Sequence, residues 1–128
     1  MEQPPTPYPL TLEHVKAYLA TKGEDESLGL CHNAMGCLLA NVLNWQYPQA
    51  APWRVDVGSY AAVGASHIET ARPLEYLRAV FDIWTPRRSL TKGQLRARLH
   101  GLAACQDGLP EEQRMPFVVS DLFPEPVA

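Results

Sequence analysis

No stretch of this 128-residue chain approaches the roughly 20 consecutive apolar residues that a membrane-crossing helix requires. Met1 to Leu10 contains four prolines and no apolar run, so no secretory leader is expected there. Cysteine is scarce. Three residues, an odd number, do not make the framework of a secreted disulfide-stapled domain, and we expect reduced thiols in a cytoplasmic protein. Phosphate-cradling glycine patterns are missing: Gly36, Gly58 and Gly64 form neither GxGxxG nor GxxxxGK[ST]. No two carboxylates are spaced for acid–base work; Asp56 and Glu69 stand alone and read as solvated. These gaps exclude most simple enzyme signatures and leave a chain long enough for one domain with a real core.

What is present is unevenly charged. The net charge is −3, with residues 1–50 acidic, 51–100 basic and 101–128 acidic again. The middle part is therefore the only candidate surface for an acidic partner.

The most apolar long run is residues 31–45. Leu38, Val42 and Trp45 form one helical row, Leu39 and Leu43 a second beside it, and Met35 leads into them. Two adjacent rows predict a central helix from about Asn33, as N-cap, to Trp45, with Asn41 and Asn44 facing outward. Pro48 sets its far limit. Before it, Thr11 caps a first helix, Leu10 and Val15 have the spacing of a hydrophobic staple, and Gly23 ends it. Residues 24–27 read as a solvated acidic loop. After the central helix, Trp53 to Val57 alternates apolar and charged residues in the period of a half-buried strand, and Tyr60 to Val63 supplies a second strand. Residues 64–70 read as loop. Trp53 and Tyr60 are placed to line a small pocket, although core packing explains them more simply.

Pro73 opens a helix whose Leu74, Leu77, Val80, Phe81 and Trp84 recur at three- and four-residue spacing. Thr91 with Gln94, flanked by Leu90 and Leu95, carries the capping-box and staple signature of another helix, running to about Ala104. Its Leu95, Leu99 and Leu102 point inward, and its Arg96 and Arg98 outward. The predicted fold is α+β and predominantly helical, with about four helices packed around a central apolar helix and a short two-stranded β ribbon. Residues 1–9 form a flexible proline-rich N-terminus and residues 10–105 a single globular domain. Residues 106–128 form a proline-rich, partly apolar C-terminal segment that docks on the domain or on a partner.

Three groups of residues invite chemistry. Cys31, His32 and Cys37, with His67 or Cys105 as further ligands, suggest zinc. The five residues between the first two cysteines are wider than a knuckle, however, and no second pair exists. A small buried thiol explains Cys37 better, and no metal or other cofactor is expected. Cys31 near a helix N-terminus, with His32 or His67 as base, would be the nucleophile of a cysteine-dependent enzyme, but no orienting third group is evident. Arg87, Arg88, Lys92, Arg96, Arg98 and His100 form a basic run able to contact phosphates, or simply a solvated helix surface.

The segment Cys37-Leu38-Leu39-Ala40-Asn41-Val42-Leu43 resembles a Cys-Pro-Leu-Ala-x-Tyr-Leu helix motif of small bacterial proteins that have no assigned function. The order that follows, a strand, an aromatic amphipathic helix and a Leu-Thr-capped helix, is similar too, over about residues 10–104. Leu38 replaces the motif proline and Val42 its tyrosine, so the resemblance implies a shared fold plan and carries over no activity or site residues.

The leading expectation is a non-enzymatic protein-interaction module, an adaptor or accessory protein. Phe117, Val119, Leu122 and Phe123 would meet another protein or a second copy of the chain. The alternative is a nucleic-acid-binding accessory protein using residues 87–100, with Arg87, Arg88, Lys92, Arg96 and Arg98 as contacts. A cysteine-dependent enzyme comes third. No membrane partner is expected.

Overall fold

The computed structural model describes residues 8–31, 35–50, 53–56, 60–63, 66–69, 72–82 and 89–124. Four α-helices and two small antiparallel sheets make an α+β fold, as the sequence predicts. No helix among the described residues is long and apolar enough to cross a membrane.

Helix α1 (Leu12–Ala20) begins at Thr11, whose hydroxyl accepts from the His14 backbone N–H while the His14 ring accepts from the Thr11 N–H. The staple residues follow suit: Val15 is buried and Leu10 packs against the core. The helix ends at Thr21, in right-handed helical geometry, rather than at Gly23. Strand β1 (Ser27–Leu30) follows the acidic turn where only a loop is expected.

Helix α2 (Leu38–Gln46) starts later than the apolar pattern predicts. Cys37, in extended geometry, is its N-cap, and Asn33 lies outside the described residues. The reason is competition for backbone groups. The Leu30 N–H donates to the Gly36 carbonyl at 2.7 Å, which draws the turn before the helix onto β1. Once begun, α2 is the central element: it touches α1, β1, α3 and β2, and Leu38, Leu39, Ala40, Val42 and Leu43 are all buried. Asn41 and Asn44 face inward instead of outward. The Asn41 amide donates to Leu28 O (2.8 Å) and Gly36 O (3.3 Å), and Asn44 Oδ1 accepts from the Trp53 backbone N–H at 2.8 Å. Each asparagine supplies a partner to backbone groups that would otherwise be buried unpaired.

Strands β2 (Arg54–Asp56) and β3 (Tyr60–Val63) pair antiparallel, with Asp56 opposite Tyr60 and Arg54 opposite Ala62. These are the two segments expected to form the ribbon. A third strand, β4 (Ser66–Glu69), pairs with β3 where a loop is expected, its His67 opposite Ala62. Two strands alone are marginal, and a third adds a second ladder of backbone bonds.

Helix α3 (Arg72–Asp82) buries Leu74, Leu77, Val80 and Phe81, the apolar stripe of the sequence; Trp84 and Pro86 lie outside the described residues. Strand β5 (Ser89–Thr91) pairs antiparallel with β1, and Thr91 also caps helix α4 (Lys92–Ala103) with its full capping box. Leu90, Leu95 and Leu99 are buried. We expect Thr91→Ala to cost ~1 kcal/mol, read from a denaturant titration, because it removes the acceptor of the Gln94 N–H. An unchanged midpoint would show that β5 pairing alone holds this helix start.

The acidic turn before β1 is not a free connector. The Glu26 and Glu24 carbonyls accept from the Lys92 and Gly93 N–H groups, at 3.1 and 2.9 Å. A Cβ at Gly93 would lie 2.9 Å from Glu24 Oε2 and 3.2 Å from Glu24 O, so a side chain there would make the Glu24 carboxylate move aside and crowd its carbonyl. The first turn of α4 thus finds acceptors in a loop 70 residues away in sequence, where a helix N-terminus also favours acidic neighbours.

Burial raises the pKa of Tyr18, with Glu26 adding to the effect, and it raises those of Tyr47 and Tyr76 as well. At Tyr76, a hydrogen bond with Gln106 and the charge of Arg72 oppose the rise. A folded-state pKa above the unfolded one gives stability that is whole below the ordinary value of 10.0 and is lost as pH climbs past it. Melting temperature should therefore fall from pH 9.5 upward, and fall less in Tyr18→Phe, with thermal melts across that range as the check.

Candidate functional site

The four apolar residues of the C-terminal segment enter the chain's own core. Phe117, Val119, Leu122 and Phe123 are buried, and the Tyr76 ring meets Phe117 edge-on at 5.9 Å. Arg72 on α3 donates to the carbonyls of Glu111 (3.1 Å), Glu112 (2.9 Å) and Arg114 (2.8 Å), and the Met115 N–H donates to Gln106 Oε1. The Arg96 guanidinium lies over the Phe123 ring at 5.3 Å. These residues, expected as partner contacts, are therefore closed off by the domain itself; between them Val118, Ser120 and Asp121 are exposed, Val118 being the one large apolar side chain among the three. The apolar pattern predicts that they pack. Only the positions of Tyr76 and Arg72 decide against what.

The basic run is largely engaged with protein groups rather than open to phosphate. Lys92 is buried and donates through Nζ to the Lys22 carbonyl at 3.2 Å. Arg96 pairs with Glu24. Arg98 points back to α3, where it donates to the carbonyls of Val80 (3.2 Å) and Phe81 (3.1 Å). That places a cation on the negative end of a helix and corrects the expectation that Arg98 faces outward. Arg87 and Arg88 lie outside the described residues.

Cys31 and Cys37 are both buried, and no disulfide involves them or the exposed Cys105. The Cys31 thiol donates to the Phe81 carbonyl at 3.1 Å, the same oxygen that Arg98 reaches. A fully buried thiol lacks the access to solvent and substrate that a nucleophile needs. His32 is outside the described residues, and of His67 only the backbone, in β4, is described. Among the described residues no three His, Cys, Asp or Glu side chains are grouped to hold a metal ion.

The stretch from β1 to the end of α2 leaves three large apolar side chains exposed, a flank that sequence reasoning missed. Leu30 is 41% exposed, Met35 53% and Trp45 44%. Leu30 is tied to the Met35–Gly36 turn by its bond to Gly36 O, and Asn41 is bonded to the same carbonyl. Trp45 stands one helical turn along α2 from Asn41 and shares its row. The Trp45 ring meets Tyr18 edge-on at 5.8 Å, and Lys22 Nζ sits 5.2 Å from the Tyr18 ring centre, giving the flank a charged border. Helical periodicity assigns Trp45 to the buried stripe.

No family model matches the chain, and no curated protein or solved structure matches it.

Proposed function

We propose that this chain is a non-catalytic protein-binding module whose docking face is the flank of Leu30, Met35 and Trp45. The exposure of these side chains on adjoining elements, while the C-terminal apolar residues are closed into the core, is the observation that carries this reading. Large apolar side chains left in water and grouped together favour association, and tryptophan and methionine are the types enriched where proteins meet. Nucleic acid recognition by residues 87–100 has less support, because Lys92, Arg96 and Arg98 already bind carbonyls and a carboxylate of the fold.

The test is affinity capture and light scattering with the unaltered chain and with a Met35→Ser, Trp45→Ser double variant. Both substitutions are at exposed positions and should leave the melting curve nearly unchanged. Loss of a captured protein, or of self-association, in the variant supports the assignment. A monomer whose captured proteins are the same in both forms would overturn it.

A further inference from the structure

The start of the described chain lies against a second group of aromatic residues. Tyr8 meets Tyr47 and Trp53 edge-on, with ring centres 5.3 and 5.2 Å apart. The Tyr47 hydroxyl donates to the Pro9 carbonyl. The His14 ring is tilted against Tyr47 at 6.3 Å, and Asn44 holds the Trp53 backbone. Residues 1–9, expected as a frayed terminus, thus end in two residues docked on the domain. Trp53 is fully buried, yet its indole N–H has no acceptor among the described residues.

This is the chemistry of a surface that reads proline-rich chain. An extended proline-containing segment makes no internal hydrogen bonds and presents its carbonyls and flat rings outward. Surfaces that bind such segments use aromatic side chains for the rings and ring N–H or O–H donors for the carbonyls. Toward this chain's own Tyr8-Pro9, Tyr47 donates to the Pro9 carbonyl and packs its ring on Tyr8, and the residues leading to that pair are Pro4-Pro5-Thr6-Pro7.

We infer that Tyr47 and Trp53, edged by His14, form a recognition site for an extended Tyr-Pro segment, which Tyr8-Pro9 occupies in cis and which a proline-rich segment of another protein occupies by displacing it. The inference rests on the chain being a binding module but uses a different face from the Leu30–Met35–Trp45 flank.

The probe is a blocked peptide, Pro-Thr-Pro-Tyr-Pro-Leu, added to the full chain and to the full chain carrying Tyr8→Ala. Binding is followed through the tryptophan indole N–H resonances. Removing the cis occupant should tighten binding by about tenfold or more, since a bound competitor lowers the fraction of competent sites. The Trp53 indole signal should move with saturation, and the peptide with alanine for tyrosine should not bind. Absence of saturable binding to the Tyr8→Ala chain, or equal affinity for both chains, overturns the proposal.

If Tyr8→Ala does not fold, isotope-filtered contacts between excess peptide and the unaltered chain decide. Contacts from the peptide tyrosine to the Trp53 indole support the site, and their absence overturns it. Capture by the Met35→Ser, Trp45→Ser variant reads only the other flank, so failure of the peptide leaves that result standing.

Discussion

Gly29→Ala is expected to lower stability by about 3–5 kcal/mol and the melting temperature by roughly 10–15 °C. Gly29 has φ +145°, a region that side-chain-bearing residues rarely adopt. A Cβ there would lie 2.4 Å from the Gly36 carbonyl oxygen and 2.6 Å from Asn41 Nδ2, where no real Cβ sits. Both neighbours are themselves fixed. The Gly36 oxygen accepts from the Leu30 N–H, and the Asn41 amide bridges Leu28 and Gly36. The substitution therefore strains the backbone and also parts β1 from the start of α2. The register of β1 against β5 shifts at this point, between Ser27 and Gly29, which is how the strand accommodates the close approach. Urea titration of the variant measures the loss. A change below about 1 kcal/mol would mean that β1 does not hold this conformation in solution.

Leu122→Ala should cost about 2–5 kcal/mol. Leu122 is 1% exposed, inside the same cluster as Leu95, Leu99 and Phe81. Its neighbour in the segment, Val118, is 60% exposed and provides the control: Val118→Ala should change stability by no more than about 0.5 kcal/mol. The pair distinguishes two pictures of the C-terminal segment. A segment built to dock on a partner would lose affinity but not stability when Leu122 is cut back. A segment folded into its own domain loses stability in Leu122→Ala and nothing in Val118→Ala. Chemical denaturation of the two variants side by side reads the difference directly.

Local chemistry made both capping boxes legible. Thr11 and Thr91 sit before their helices with a bonding side chain three residues later, and those contacts need nothing beyond the first turn. The stripe of α3 was equally readable, since its apolar spacing matches the helical period over its whole length. The start of α2 was not. Apolar periodicity continues through residues 35–37, but the Gly36 carbonyl is claimed by Leu30, and a tertiary bond overrides a local preference. Strands β1 and β5 were missed for a related reason. Each is too short for its alternation to register as a strand signal, and each exists because the other lies beside it.

The proposed binding faces show the same division. That the Phe117–Phe123 segment must pack was evident from its composition; that it packs in cis depends on Arg72 and Tyr76 being within reach. The basic run looked like one surface because its residues are close in sequence. In the fold Lys92 and Arg96 turn to the Lys22–Glu24 segment while Arg98 turns to the end of α3.

By itself the sequence determined the class of fold, the N-caps of α1 and α4 and most of the core, because those follow from periodicity and from contacts within a few residues. Only the tertiary structure decided which apolar side chains remain in water, since exposure depends on what the rest of the chain brings alongside. Trp45 and Met35 are left outside and Leu122 is taken in, and nothing in their own neighbourhoods distinguishes them.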